Sequence, residues 1–166
     1  MAAPALLPAL LPYTDEERRD LVGALTALSL DLQDLTAAAY LAHWSVRGPA
    51  TWQLHLLFGE LAAALSGHVD TLSEYIRELG AAPVGTAQQV AEGSRLDPYP
   101  TDLVDGMAHC EALTERGKAF LANARDAAEV CNGASAPDAL DLVTQIMRDA
   151  SKKLNFIADH LWSGKA

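Results

Sequence analysis

Tyr40-Leu41-Ala42-His43-Trp44-Ser45-Val46-Arg47-Gly48-Pro49 is the stretch on which the fold turns. It begins as the tail of an apolar stripe and closes on Arg47-Gly48-Pro49, a short run of helix breakers that reverses the chain. The stripe upstream is Leu21, Leu25, Leu28, Leu32, Leu35 and Ala39, stepping alternately by four and three residues, the period of a helix that buries one seam. That helix begins at Thr14-Asp15-Glu16-Glu17, where an N-cap Thr14 with Glu17 at the third helical position makes a capping box. Downstream, Leu54, Phe58, Leu61, Leu65, Val69, Leu72, Ile76 and Leu79 repeat the same period over residues 52 to 79, and Gly80 supplies the stop. A short turn between two long amphipathic helices makes them antiparallel neighbours.

Residues 80 to 100 hold Pro83, Gly85, Gly93, Pro98 and Pro100, too many breakers for one long helix, with room for a short one from Thr86 to Glu92. A connector of this length can cross a bundle end to end and start the next helix parallel to the second. The third long helix is expected from Thr101, with Leu103, Met107, Cys110, Gly117, Leu121 and Ala124 on one stripe, Leu113 and Phe120 beside it, and Asn132-Gly133 at its end. Ser135 and Pro137 open the fourth, whose stripe is Leu140, Val143, Met147, Ala150, Leu154, Ile157 and Leu161. The fold class is therefore all-α. Residues 1–13, with three prolines, read as an extended arm, residues 14–162 as one four-helix bundle domain, and residues 163–166 as a short C-terminal tail.

The 166 residues have the size of one domain that buries its own core without staples. Half are apolar but only 6% are aromatic, and Ala and Leu dominate, which favours a helix bundle over a sheet. A formal charge of −10, from 22 acidic and 12 basic residues, repels nucleic acid and attracts cations. Cys110 and Cys131 are too few for a disulfide framework and read as buried small hydrophobes in a reducing compartment. Met1 to Leu11 lacks a basic segment and contains Pro4 and Pro8, so it makes a poor signal peptide. No run reaches the roughly 18 to 20 apolar residues that a membrane span needs. A soluble, cytoplasmic protein is expected.

Two imidazoles and two carboxylates stand out around the turn: His43 and His55, Asp70 and Glu74. Such a donor set suits iron, zinc or manganese, and the absence of Cys from it argues against a structural zinc site. His43 joins His55 because the turn folds its helix back alongside. Asp70 cannot join them within one chain: fifteen residues along a helix is roughly 22 Å of rise. The angular positions do agree, since fifteen steps of about 100° leave His55 and Asp70 only about 60° apart around the axis, and Asp70 and Glu74 are neighbours at i and i+4. Two copies packed antiparallel about a twofold axis would set the His end of each against the carboxylate end of the other. Each of these residues taken alone reads as an ordinary polar side chain; together they imply a metal site shared between subunits.

These residues resemble the Dps family, the mini-ferritins that protect DNA during starvation. The likeness is carried by His43-Trp44-x-Val46-Arg47-Gly48, by His55 twelve positions after His43, and by His68-Val69-Asp70-x-x-x-Glu74. It continues through Arg77-x-Leu79-Gly80, Gly85-Thr86 and Tyr99-Pro100, and covers most of residues 15 to 162. The resemblance implies a ferritin-like four-helix bundle with one long crossover carrying a short helix. It implies a ferroxidase centre, mono-iron or di-iron, in which His43 and His55 of one subunit face Asp70 and Glu74 of its twofold partner. Fe(II) would be oxidised there, preferentially by hydrogen peroxide, and stored as ferric mineral inside a hollow homo-dodecamer that limits oxidative stress. It also implies that Trp44 lies close enough to the iron to intercept an oxidising equivalent. Arg47 reads as fixing the turn or an ion pair between subunits, and His68, His109 and His160 as structural or surface residues.

The chain departs from the family at two places. Relatives often carry an acidic residue four positions after the second His, where this sequence has Gly59, so the second iron position is left open. Some relatives bind DNA through a Lys-rich terminal tail, but residues 1–17 contain no Lys or Arg, and counterion release has little to act on. Direct DNA binding, and the nucleoid association it would bring, is accordingly disfavoured. Asp126, Glu129, Asp138 and Asp141 are candidates for an acidic entry pore. Two other functions compete with ferroxidase: a non-catalytic protein that coats DNA, which a low-salt gel shift would reveal, and a zinc- or copper-sequestering cage, since His and carboxylate ligands do not select iron by affinity alone.

Overall fold

The computed structural model describes residues 6–163; residues 1–5 of the arm and 164–166 of the tail lie outside it. Among the described residues five helices follow one another: α1 (Asp15–Ser45), α2 (Thr51–Glu78), α3 (Ala87–Gly93), α4 (Gly106–Gly133) and α5 (Pro137–Asp159). The long four form the bundle. α1 packs antiparallel to α2 and to α4, α5 antiparallel to α2 and α4, and the crossover through α3 makes α2 and α4 parallel. The stripes meet along the axis: Leu21, Leu25, Leu28, Leu32, Leu35, Ala39 and Ala42 of α1 are fully buried against Phe58, Leu61, Leu65, Leu72 and Ile76 of α2 and the inner residues of α4 and α5. Val69 is only partly buried, at the margin of its stripe.

The ends of α1 and α2 follow from local chemistry. Thr14 and Glu17 make the reciprocal capping box, with the Glu17 N–H donating to Thr14 Oγ1 (3.2 Å) and the Thr14 N–H to Glu17 Oε2 (2.7 Å). At the far end of α2, Gly80 takes a left-handed φ of 88° and closes a Schellman motif, in which the Ala81 N–H reaches Ile76 O (3.2 Å) and the Gly80 N–H reaches Arg77 O (2.9 Å). The described part of the arm is tied to this turn. Leu7 N–H donates to Gly80 O (2.8 Å), and the buried Arg18 donates through Nη1 to both Leu7 O (2.9 Å) and Leu79 O (3.1 Å).

The crossover is held by a buried polar network. Asp31 of α1, with no solvent exposure, accepts from Arg95 N–H (2.7 Å), Nε (3.0 Å) and Nη2 (2.7 Å), and from Asn123 Nδ2 of α4 (2.9 Å). One turn along, Asp34 accepts from Ser94 Oγ (2.6 Å) and pairs with the buried Arg116 Nη2 (2.8 Å), whose guanidinium lies 5.8 Å from the Tyr99 ring centroid. α3 itself starts at a second capping box, Thr86 with Gln89.

Three expectations are corrected. The third long helix does not start at Thr101: residues 101–105 stay non-helical because Arg47 bridges to Asp105, with Arg47 N–H donating to Val104 O (2.7 Å) and Gly106 N–H to Arg47 O (3.1 Å). Asp105 is then the N-cap, accepting from the Met107 and Ala108 N–H groups at 3.0 Å. As a result α4 turns Cys110, Leu113, Gly117, Phe120, Ala124 and Ala127 inward along with His109 and Arg116, while Met107 is exposed and Leu121 only partly buried. Cys110 and Cys131 are buried free thiols, and burial pushes both up to about 11.

α4 ends at Gly133, as the sequence reads, but the left-handed residue that closes it is Ser135, at a φ of 52° in another Schellman motif: Ala136 N–H reaches Cys131 O (3.0 Å) and Ser135 N–H reaches Asn132 O (3.0 Å). Ser135 therefore does not cap α5, which starts at Pro137 behind Ala136, an N-cap residue with no side-chain hydrogen bond to offer. Relieving the strained Ser outweighs the extra freedom of an unfolded glycine, so Ser135→Gly is expected to stabilise the protein by about 0.5–1 kcal/mol. A lower denaturation midpoint for the variant would show that the Ser135 side chain contributes something the backbone argument misses.

Candidate metal centre

The reversal between α1 and α2 brings His43 and His55 face to face, with ring centroids 3.7 Å apart and planes 20° from parallel. The two are locked reciprocally. His43 Nδ1 lies 2.6 Å from the His55 carbonyl oxygen, and His55 Nδ1 lies 2.7 Å from the His43 carbonyl oxygen. A carbonyl can only accept, so each Nδ1 is the protonated donor, and in the neutral ring each Nε2 is left with a lone pair. This is the arrangement by which a metal-ligating His is oriented through its second nitrogen. Both imidazoles are half-buried.

Asp70 and Glu74 are exposed on the same continuous helix as His55, toward its other end. Neither carboxylate has a hydrogen-bond or ion-pair partner among the described residues. No group of three or more His, Cys, Asp or Glu converges within the chain, again among the described residues. The chain thus carries a pair of imidazoles at one end of α2 and a pair of carboxylates toward the other.

Trp44 is exposed and stacks on Tyr40, one turn earlier, at 5.6 Å. The indole that lies against the imidazole pair is Trp52, stacked on His55 at 6.3 Å, a residue the sequence reading passed over. Its signal was present: Trp52 is three positions before His55, one turn away on the same face. Arg47 fixes the turn, though through its backbone, as described above. His68 joins α2 to α5 through Asp149 (2.9 Å).

His109 is fully buried, with Nε2 3.1 Å from Ser45 Oγ and Nδ1 2.7 Å from the Tyr99 hydroxyl. Ser45 spends its one hydroxyl hydrogen on Leu41 O (2.6 Å), so His109 Nε2–H is the donor to Ser45, and Tyr99 O–H donates to Nδ1. Burial holds this histidine below its usual range, so it braces the last turn of α1 as a neutral group. Among the acidic pore candidates, Asp126, Glu129 and Asp141 are exposed, but Asp138 is engaged: it accepts from the hydroxyls of Tyr13 and of Tyr75 (2.9 Å), joining the arm, α2 and the start of α5.

None of the helices among the described residues is long and apolar enough to cross a membrane. The family model for the ferritin-like domain matches residues 25–166. The chain is 31% identical over 140 residues to the DNA protection during starvation protein of Agrobacterium fabrum, covering 84% of this chain and 86% of that one. Among solved structures, DpsA14 of Streptomyces coelicolor superposes with a TM-score of 0.93 at 25% identity, covering 99% of this chain and 98% of its own. The Dps protein of Vibrio cholerae O1, a member of the superfamily of ferritin-like diiron-carboxylate proteins, superposes with a TM-score of 0.87 at 22% identity, covering 95% and 99%. With five helices among the described residues, one long crossover and relatives of this kind over most of its length, the chain belongs to the Dps family of ferritin-like proteins.

Proposed function

We propose that this protein is a ferroxidase and iron store that oxidises Fe(II), preferentially with hydrogen peroxide, at sites shared between twofold-related subunits of a hollow dodecamer in the cytoplasm. The observation that carries the proposal is the reciprocal lock on His43 and His55, which leaves two Nε2 lone pairs free at one end of α2, while Asp70 and Glu74, without a partner among the described residues, lie toward the other. Imidazole and carboxylate together tolerate both ferrous and ferric iron. Two ferrous ions each give up one electron, the peroxide O–O bond breaks, and with two protons the oxygens leave as water, so no hydroxyl radical is released. Trp44, exposed near the end of α1, is assigned the interception of stray oxidising equivalents. Protection of DNA is chemical on this reading: it removes Fe(II) and peroxide, and needs no basic arm.

Anaerobic loading with Fe(II) followed by peroxide, read as ferric absorbance and particle size, tests it. His55→Ala and Asp70→Ala should each slow peroxide-dependent oxidation by at least about tenfold, since even outer-shell partners of a metal are worth that much. Helical content should be unchanged, because both side chains lie off the core stripe. A wild-type rate in either variant, or a stable monomer by light scattering, would overturn the assignment. The all-nitrogen half-site within one chain also suits zinc or copper, and a protein that binds these but leaves Fe(II) unoxidised would be a sequestering cage.

A further inference from the structure

We infer that in this chain, which has Gly59 where relatives often carry an acidic residue, Gly59 is a positioning residue of the metal half-site: the missing side chain gives the His43 imidazole the room in which it lies flat against α2. The inference rests on the reading of His43 as a ligand and adds what holds it in place. A glycine inside a helix is less stable than an alanine, and α2 carries two, Gly59 and Gly67. Within the chain the space around Gly67 is open: a Cβ there would meet nothing of its own subunit within 4 Å. A Cβ on Gly59 would lie 2.7 Å from His43 Nδ1 and 2.9 Å from Cε1, closer than real contacts allow.

The His43 ring cannot step aside cheaply. Its Nδ1 is bonded to the His55 carbonyl at 2.6 Å, and its face is stacked on the His55 ring at 3.7 Å. Along α2, Trp52, His55 and Gly59 are spaced one turn apart. Trp52 stacks on His55 from the side of the helix start, and His43, arriving from α1, fills the slot between His55 and Gly59. A methyl group at position 59 closes that slot. It must break the Nδ1 bond or unstack the pair, and either change moves Nε2.

The test is a double-mutant cycle on the assembled protein, with Gly67→Ala as control, read as thermal midpoint and as binding of Co2+, a probe whose visible absorption reports its ligands. Gly67→Ala, well away from the imidazole pair on α2, should leave Co2+ binding and its spectrum alone. Gly59→Ala should lower the midpoint and weaken Co2+ binding about tenfold or more, with an altered spectrum. In the His43→Ala background the same Gly59→Ala change should become stabilising, because the ring it collides with is gone and only the helix preference remains. If Gly59→Ala behaves like Gly67→Ala while His43→Ala still weakens Co2+ binding, the positioning role is wrong and the ligand reading stands. If His43→Ala binds Co2+ like the wild type, the ligand reading itself has failed.

Discussion

Mixed assemblies of His43→Ala/His55→Ala subunits with Asp70→Ala/Glu74→Ala subunits are expected to oxidise iron although each parent assembly is inactive. The reason is the length of one helix. His55 and Asp70 are fifteen residues apart on the uninterrupted α2, which is roughly 22 Å of rise, too far for one metal ion to bridge. A site shared across a twofold axis takes its imidazoles from one chain and its carboxylates from the other. In a mixed dimer one site collects both mutated halves and the other is wholly wild type. With random pairing about half the dimers are mixed, so activity should return to about a quarter of wild-type sites. The measurement is peroxide-dependent ferric absorbance after the two parents are dissociated and reassembled together. Verified reassembly with no return of activity would mean that the ligands act within one chain.

Arg95→Ala should cost about 3 kcal/mol of folding stability, although Arg95 lies in the crossover, outside the four long helices. Its guanidinium supplies the positive charge next to Asp31, which has no solvent exposure. Removing one partner strands a buried carboxylate, a loss of about 3–5 kcal/mol in comparable pairs. The lower end applies because the Arg95 side chain is itself 40% exposed, so water can enter where it stood, and Asn123 and the residue 95 N–H still donate. At this chain size that is a fall of roughly 6–12 °C in thermal midpoint, measured at fixed protein concentration so that assembly does not contribute to the difference. Replacing both partners, as Asp31→Leu with Arg95→Ala, should recover part of the loss by removing the stranded charge. A single-variant loss below about 1 kcal/mol would mean that Asp31 is not held as a buried anion.

Much of this architecture is contained in short lengths of chain. The capping box at Thr14, the alternating steps of the α1 and α2 stripes, the reversal at Arg47-Gly48-Pro49 and the left-handed Gly80 are decided by hydrogen bonds and sterics over a few neighbouring residues, and the structure places all four as the sequence reads. The separation of His55 from Asp70 is of the same kind, because the rise of a helix is set by its backbone. What lay beyond the sequence depends on which surfaces meet. α4 begins at Gly106 rather than Thr101 because Arg47, from a different turn, holds residues 104–106 in a bridge. Arg116 and His109 point inward because Asp34, Tyr99 and Ser45 are there to receive them. Helical spacing allowed His43 and His55 to meet, but the reciprocal Nδ1 bonds, the indole of Trp52 on one face and the empty side of Gly59 on the other exist only once α1 and α2 are packed. Periodicity and capping are properties of a single segment, whereas the orientation of a side chain in a site is set by the atoms of another segment that excludes or bonds it, and only the tertiary structure brings those atoms within reach.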